Sequence, residues 1–207
     1  MDSALKRNKE YSDRHIQNIG SWEIPSMVRH LVFSSKNILD LGCGDGGTVS
    51  GIIRKYPSKK VTGVDISPRR IDSLKERFPK KRFICGDVCS TKLKDNSFDL
   101  IISTQVIEHV EDDKKMVREM HRLLKKGGFL YISSVIKKPW AIYKYRNKGK
   151  FVLDPTHERE YSSKEEFLNL FLKKFRLLKV IISQVRRKKI ISFNVPGYYI
   201  IDSLWKK

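Results

Sequence analysis

The sequence predicts an α/β fold: a doubly wound, mostly parallel seven-stranded sheet with helices on both faces and an antiparallel edge strand. Three observations predict it. Short apolar runs alternate with amphipathic stretches between residues 37 and 135. The first run, Ile38-Leu39-Asp40-Leu41, breaks into Gly42-Cys43-Gly44-Asp45-Gly46-Gly47, as a buried strand does when it hands over to a tight turn and a helix start. Two later apolar runs flank the basic turn Arg186-Arg187-Lys188-Lys189, which suits a hairpin at the sheet edge.

Each element has a local reason. Residues 2–33 read as one or two helices, with Pro25 in the first turn of the second. Strands follow at Asn37–Leu41, Lys60–Asp65, Arg82–Cys85 and 98–103, the last apolar on both faces as a central parallel strand is. A helix over 48–56 closes at Pro57. The next opens at Ser67-Pro68, a capping hydroxyl followed by a first-turn proline, and puts Ile71, Leu74 and Phe78 on one face. A helix over 112–124 carries the stripe Met116, Met120, Leu123 and Leu124, with Gly127-Gly128 as its stop. A fifth strand spans 129–135, and residues 136–161 read as irregular, basic and aromatic. Ser163-x-x-Glu166 is a capping box that turns Phe167, Leu170 and Phe171 inward. The hairpin strands are expected over 175–185 and 190–195. The tail Tyr198 to Lys207 could touch lipid or a partner subunit, or fold back on the core.

Composition bounds the function. A chain of 207 residues supports one domain with a sizeable core. No apolar run approaches the roughly 18 residues a membrane-spanning helix needs. The polar start, Met1 to Gly20, is not a signal peptide, and Cys43, Cys85 and Cys89 lack metal-ligand spacing, so a reducing cytoplasm is expected. Forty-three Lys and Arg against 23 Asp and Glu give +20, a field that attracts phosphates, anionic lipid surfaces or acidic substrates, unless it reflects a generally lysine-rich proteome.

In such sheets ligands sit beyond the carboxyl ends of the strands, and the polar residues fall there. After the first strand come Asp40 and the turn Gly42-Cys43-Gly44. The second ends in Asp65-Ile66, the third runs into Gly86-Asp87-Val88, and the fourth into Ser103-Thr104-Gln105 and Val106-Ile107-Glu108-His109-Val110. Each position suits one part of S-adenosylmethionine. The glycine turn would take the amino-acid and ribose portion on its backbone. Asp65 would accept both ribose hydroxyls, and Ile66 would offer an apolar face to adenine. Asp87 and the Val88 amide would meet the adenine edge, while Asp40 would order the loop or reach the cofactor ammonium.

On these residues the chain resembles the class I (Rossmann-like) S-adenosylmethionine-dependent methyltransferases, and is most similar to the group that includes the ubiquinone and menaquinone biosynthesis enzymes. The matching pieces are Ile38 to Gly46, Val61 to Ser67, Gly86-Asp87-Val88, Phe98 to Ile101, Val106 to Val110 and Arg122 to Gly128. The resemblance implies the fold, the cofactor and methyl transfer, and leaves the acceptor open. It divides a single domain, 1–207, into an N-terminal helical lid (1–33), a cofactor-binding core (34–135), a substrate-side insertion (136–162) and a C-terminal helix and strands (163–207). Asp40, Gly42, Cys43, Gly44, Asp65, Ile66, Asp87, Val88 and Ser103 are the expected cofactor residues.

Alternatives stand beside this. Gly42-x-Gly44-x-x-Gly47 with Asp65 also satisfies a dinucleotide fingerprint. Asp40 before the glycines, the second strand-end acid Asp87 and the Lys-Lys-Gly-Gly break at 125–128 argue against it. His109 could be a general base with a pKa near neutrality, or could cap a helix or pack under the cofactor. Glu108 could orient that ring or be solvated. In Asp154-Pro155-Thr156-His157-Glu158-Arg159-Glu160-Tyr161, His157, Arg159 and Tyr161 could bind or deprotonate the acceptor, or tie down a loop. No metal is expected.

Residues 137–151 mix six cations with four aromatics and suit a lid that selects an anionic substrate, or a membrane-surface contact. A small-molecule, lipid-linked or glycan acceptor is the favoured partner. The Asn/Asp-Pro-Pro-aromatic tract of amino-methylating nucleic-acid enzymes is absent after the fourth strand, so an RNA or ribonucleoprotein acceptor is the weaker reading, and a noncatalytic cofactor-binding protein a third.

Overall fold

The structure is a computed structural model that describes residues 23–138, 145–186 and 196–207, together with Lys6, Lys9, Glu10 and Asp13. Most of the expected N-terminal lid, the centre of the 137–151 segment and the expected strand over 190–195 lie outside the described residues.

The strands are β1 (Asn37–Leu41), β2 (Lys60–Asp65), β3 (Arg82–Cys85), β4 (Phe98–Thr104), β5 (Leu124–Ile136), β6 (Tyr145–Asn147), β7 (Lys150–Val152), β8 (Arg176–Arg186) and β9 (Pro196–Lys206). Seven form one sheet in the order β3-β2-β1-β4-β5-β9-β8, and β6 pairs with β7 as a separate ribbon. β1 to β5 pair in parallel. β9 runs antiparallel to both β5 and β8. The chain winds outward from β1 to β3, then returns to start β4 on β1's other side. The carboxyl ends of β1 and β4 therefore flank the switch point, where such sheets open a crevice.

The helices are α1 (Arg29–Ser34), α2 (Gly47–Lys55), α3 (Pro68–Arg77), α4 (Asp113–Leu123) and α5 (Lys164–Leu172). Because side chains alternate along a strand, β1 and β4 feed two cores. Ile38, Leu100 and Ile102 pack with Val32 of α1, Ile52 of α2 and Leu74 of α3. Leu39, Leu41 and Ile101 pack with Met116 and Met120 of α4, Phe167 and Phe171 of α5 and Trp205 of β9. Capping follows the sequence. Ser67 accepts from the Arg70 amide with Pro68 in the first turn, Asp112 accepts from Lys115, and Ser163 accepts from Glu166. Glu166 reaches back to Ser162 rather than to Ser163, which shifts the expected box by one residue. Pro25 caps a 3-10 turn, Ser26–Val28, that leads into α1.

Three expectations are corrected. The Gly127-Gly128 pair does not end α4, which stops at Leu123; β5 starts at Leu124 and takes the glycines into the strand. Gly127 sits there at φ +79°, and the β4–β5 register slips between Phe98 and Leu100, so the pair makes a bulge. A Cβ on Gly128 would come within 3.1 Å of the Asp99 carbonyl oxygen, which explains the second glycine. The segment 136–161 is not wholly irregular: β6 and β7 close through Lys148-Gly149, both at positive φ as a type I′ turn requires. Finally, the strand that pairs with β8 is the tail itself, β9, inserted beside β5.

The tail is held by more than its ladder. Trp205 is fully buried and stacks on Phe171 at 5.1 Å, with Nε1 donating to Ser203 Oγ at 2.8 Å. Lys207 Nζ donates to the carbonyls of His121 (2.6 Å) and Leu124 (2.7 Å), so an ammonium closes the carboxyl end of α4. Trp205→Ala should lower unfolding free energy by about 3–5 kcal/mol, the cost of emptying a large aromatic site. Urea unfolding checks this; a loss under about 1 kcal/mol would mean that β9 does not anchor the sheet.

Candidate active site

The glycine turn is built by close approach. Gly42 lies at φ +83°, and a Cβ there would fall 2.3 Å from a Val106 methyl, so the turn packs directly under the chain that leaves β4. The amides of Gly42 and Cys43 both donate to the Val64 carbonyl, at 2.8 and 2.9 Å. Gly44 presents the open side: a Cβ there would meet only Arg70 Nη1, at 3.7 Å. Asp65, at the end of β2, holds this turn to the start of α3. Its Oδ2 accepts from the Gly44 amide at 2.8 Å and its Oδ1 from the Ser67 amide at 3.0 Å. Burial raises its pKa, and these amides pull the other way.

Asp40, on β1, accepts a hydrogen bond from the Val49 backbone and lies near Asp65. It is 2 % exposed, and its Oδ2 is buried with no hydrogen-bond partner. Burial, then the nearby Asp65 charge, push its pKa up to about 7. Burial also raises the Cys43 thiol well above its ordinary value, so it is a packing group here. Arg70 stands over the turn in an ion pair with Asp45 (3.3 Å). Asp13, from the N-terminal segment, accepts from Ser67 Oγ, and its carbonyl accepts from Arg69 Nη1 at 2.9 Å. Neither Arg70 nor Asp13 was marked by any sequence motif.

The remaining strand ends are arranged as follows. Ile66 is half-buried beside Asp65. Asp87 folds into an Asx turn, with Oδ1 accepting from the Cys89 amide at 2.8 Å, and Val88 is buried beneath it. Ser103 is fully buried, and its hydroxyl donates to the Leu41 carbonyl at 2.8 Å, which ties β4 to β1 below the turn. Gln105 follows at φ +55°, anchored by its amide to the Ser133 carbonyl (3.0 Å).

Beyond Gln105 the structure gathers Glu108, His109 and His157. Glu108 is fully buried, which overturns a solvated role. Its Oε2 accepts from Ser134 Oγ at 2.9 Å, and its Oε1 is buried with no partner. Burial pushes its pKa up to about 7. His109 Nδ1 lies 3.0 Å from Thr156 Oγ1 and 3.3 Å from the Thr156 carbonyl. Since that hydroxyl donates to Asp154 Oδ1 (2.5 Å), it accepts from the ring, which puts the imidazole proton on Nδ1. His157 Nδ1 donates to Glu160 Oε1 at 2.7 Å, and the two rings meet edge to face at 4.8 Å. Burial and then His157 push His109 down to about 4, so it is neutral at physiological pH rather than poised near it.

Arg159 and Tyr161 tie the loop down. Arg159 pairs with Asp113 at 2.6 Å, and the buried Tyr161 donates to the same carboxylate at 3.3 Å. Glu108 stood out in the sequence, but the hydrogen bonds of Thr156 and Glu160 to the two imidazoles did not. Only the Asp-x-Thr spacing of 154–156, an Asx-turn pattern, could have signalled part of them.

The methyltransferase domain family matches residues 39–132. That stretch, somewhat under half of the chain, has the sequence of a methyltransferase domain. Among curated relatives it is 35% identical over 108 residues to norajmaline N-methyltransferase of Rauvolfia serpentina, covering 48% of this chain and 36% of that protein. It is 30% identical over 141 residues to the ubiquinone biosynthesis O-methyltransferase of Coxiella burnetii, covering 65% of this chain and 59% of that one. The chain thus spans between a third and three fifths of these relatives. A solved S-adenosylmethionine-dependent methyltransferase from Methanosarcina mazei superposes with a TM-score of 0.70 at 17% identity, covering 89% of this chain and 98% of that one, a likeness of fold.

The residues of this methyltransferase domain fit S-adenosylmethionine. An orphaned buried carboxylate oxygen on Asp40 awaits a donor, and the open face of Gly44 is a cradle that a side chain would fill. A shallow basin of about 540 Å³ lies at the opposite rim, where the strands begin, and is lined by Lys59, Lys60, Lys80, Lys81, Arg82 and Lys94. Part of the +20 charge therefore stands away from the methyltransferase crevice.

Asp40 gives a pH test. In the fold it titrates near pH 7, against about 4 in an unfolded chain. Between those values the native state keeps a proton that the unfolded chain has released, so rising pH favours unfolding, and above pH 7 the penalty is complete. Asp40→Asn removes it. Without cofactor, the variant's stability relative to wild type should improve by about 2–4 kcal/mol from pH 4 to pH 8 in urea titrations. A difference that stays constant with pH would show that Asp40 is not destabilised by burial.

Proposed function

We propose that this chain transfers a methyl group from S-adenosylmethionine to a small-molecule, lipid-linked or glycan acceptor in a reducing cytoplasm. The observation that carries the reading is the pairing of two buried acids, Asp40 and Asp65, across one glycine turn whose outer face is open. The three cysteines are all free thiols, as such a compartment keeps them.

When bound, the cofactor supplies a methyl on a sulfonium, an already activated leaving group. The protein's part is to hold, align and dry the reactants. Gly42, Cys43 and Gly44 would carry the amino-acid and ribose portion on their backbone. Asp40 would take the ammonium on its orphaned oxygen. Asp65 would accept the ribose hydroxyls with lone pairs not engaged by Gly44 and Ser67. Ile66 would cover adenine, and Asp87 with the Val88 amide would meet its polar edge. Ser103 would act from beneath, by keeping β4 against β1. His109 and His157 would wall the acceptor side, each with its Nδ1 engaged. The N-terminal segment, whose Asp13 meets Ser67, would cover the cofactor as a lid.

Calorimetry with S-adenosylhomocysteine tests the cofactor assignment. Asp65→Ala should weaken binding by about a hundredfold, the loss of two charge-assisted hydrogen bonds, while circular dichroism stays unchanged. Binding within a factor of three of wild type would remove Asp65 from the site. The acceptor is read by incubating the protein with a cell extract and deuteromethyl-labelled cofactor. A labelled product in mass spectra supports transfer, and bound cofactor with no labelled product from any extract overturns it.

A further inference from the structure

The clasp around Glu108 has more chemistry than a wall requires. One ligand atom from each of Glu108, His109 and His157 lies within 4.8 Å of the others. Three further features bear on it. Glu108 is fully buried, with Oε2 occupied by Ser134 and Oε1 lacking any hydrogen-bond partner. Such an atom costs about 1–3 kcal/mol unless something satisfies it. His157 Nδ1 donates to Glu160, and His109 Nδ1 to Thr156, which is itself held by Asp154. An imidazole that gives an N–H to a carboxylate, directly or through a hydroxyl, is oriented as metal-binding imidazoles are. The nearby cations are already matched, Arg159 to Asp113 and Arg70 to Asp45, while Glu160 and Asp154 add negative charge behind the rings.

We propose that Glu108, His109 and His157 bind one divalent first-row transition ion of the zinc or iron(II) class. Two imidazoles and one carboxylate suit that class, and disfavour calcium and magnesium, which prefer all-oxygen sets. Ligand atoms at about 2.1 Å from one ion stand at most about 4.2 Å apart, so a shift of about half an ångström closes the cluster. Glu108 and His109 are neighbours in a 3-10 turn, whereas His157 comes from 48 residues further on (157 − 109), so sequence spacing could not reveal the set. Three protein ligands leave at least one position open. An acceptor oxygen or nitrogen there would be held next to the methyl donor, and the imidazoles would be ligands rather than bases. That use rests on the methyltransferase reading; binding of the ion does not.

The test therefore reads binding alone, on full-length, tag-free, metal-stripped protein without cofactor, with Co²⁺ as the probe. Wild type should take up one Co²⁺ per chain by calorimetry, with a saturable visible absorption band that excess Mg²⁺ does not displace. Glu108→Gln, which keeps the bond to Ser134, and His157→Ala should each weaken binding at least tenfold. Glu160→Gln, a positioning change behind His157, should weaken it by about ten- to a hundredfold. The exposed His30→Ala should not change it. A wild type without a saturable one-to-one band overturns the proposal, whatever the variants do. So does a band that persists at full affinity in Glu108→Gln or His157→Ala.

Discussion

The site depends on one carboxylate being held in two hands. Asp65 ends β2, and its oxygens accept from Gly44 on one side and Ser67 on the other. It thereby fixes the turn after β1 to the start of α3, two pieces of chain that meet only because β1 and β2 run in parallel register. Burial raises the pKa of both acids, and the Asp65 charge raises that of Asp40 further. Packing supports the arrangement from beneath, where Val106 fills the space that a Gly42 side chain would need.

The core of this arrangement was legible in the sequence because it is local. Parallel strands announce themselves as apolar runs, and β1, β2 and β3 begin and end where those runs do. Strand-end acids and a glycine turn are likewise contiguous signals. What stayed hidden depends on contacts between distant segments. Gly127-Gly128 reads as a helix stop by composition, and only the pairing with β4 makes it a bulge. The tail's place beside β5 follows from Trp205 fitting against Phe171, a match no local pattern encodes. Arg70, Glu160 and Asp13 gain meaning only from what they face.

The acceptor side shows the same division. His109 and His157 stood out as residues with chemistry, and the structure brings them together at 4.8 Å. Their character depends on partners the sequence did not flag. Thr156 and Glu160 settle the tautomers, and burial lowers the His109 pKa well below pH 7, which keeps the ring neutral. Arg159 and Tyr161, equally prominent in the sequence, hold the loop to α4 through Asp113. Relatives named for nitrogen and for oxygen methylation both resemble this chain, in keeping with acceptor choice set by loops on a common scaffold.

The strand order carries a consequence for how the chain assembles. Among the described residues β8 pairs only with β9, yet β9 follows it in the chain and takes the place between β8 and β5. During synthesis β8 emerges first and waits, with Leu178, Ile181 and Ile182 exposed even in the finished fold. In that interval β5 also has a bare flank. Two unpaired apolar ribbons on one nascent chain invite pairing between neighbouring chains. Cationic side chains within β8, Arg176 and Lys179 among them, oppose such pairing by like-charge repulsion.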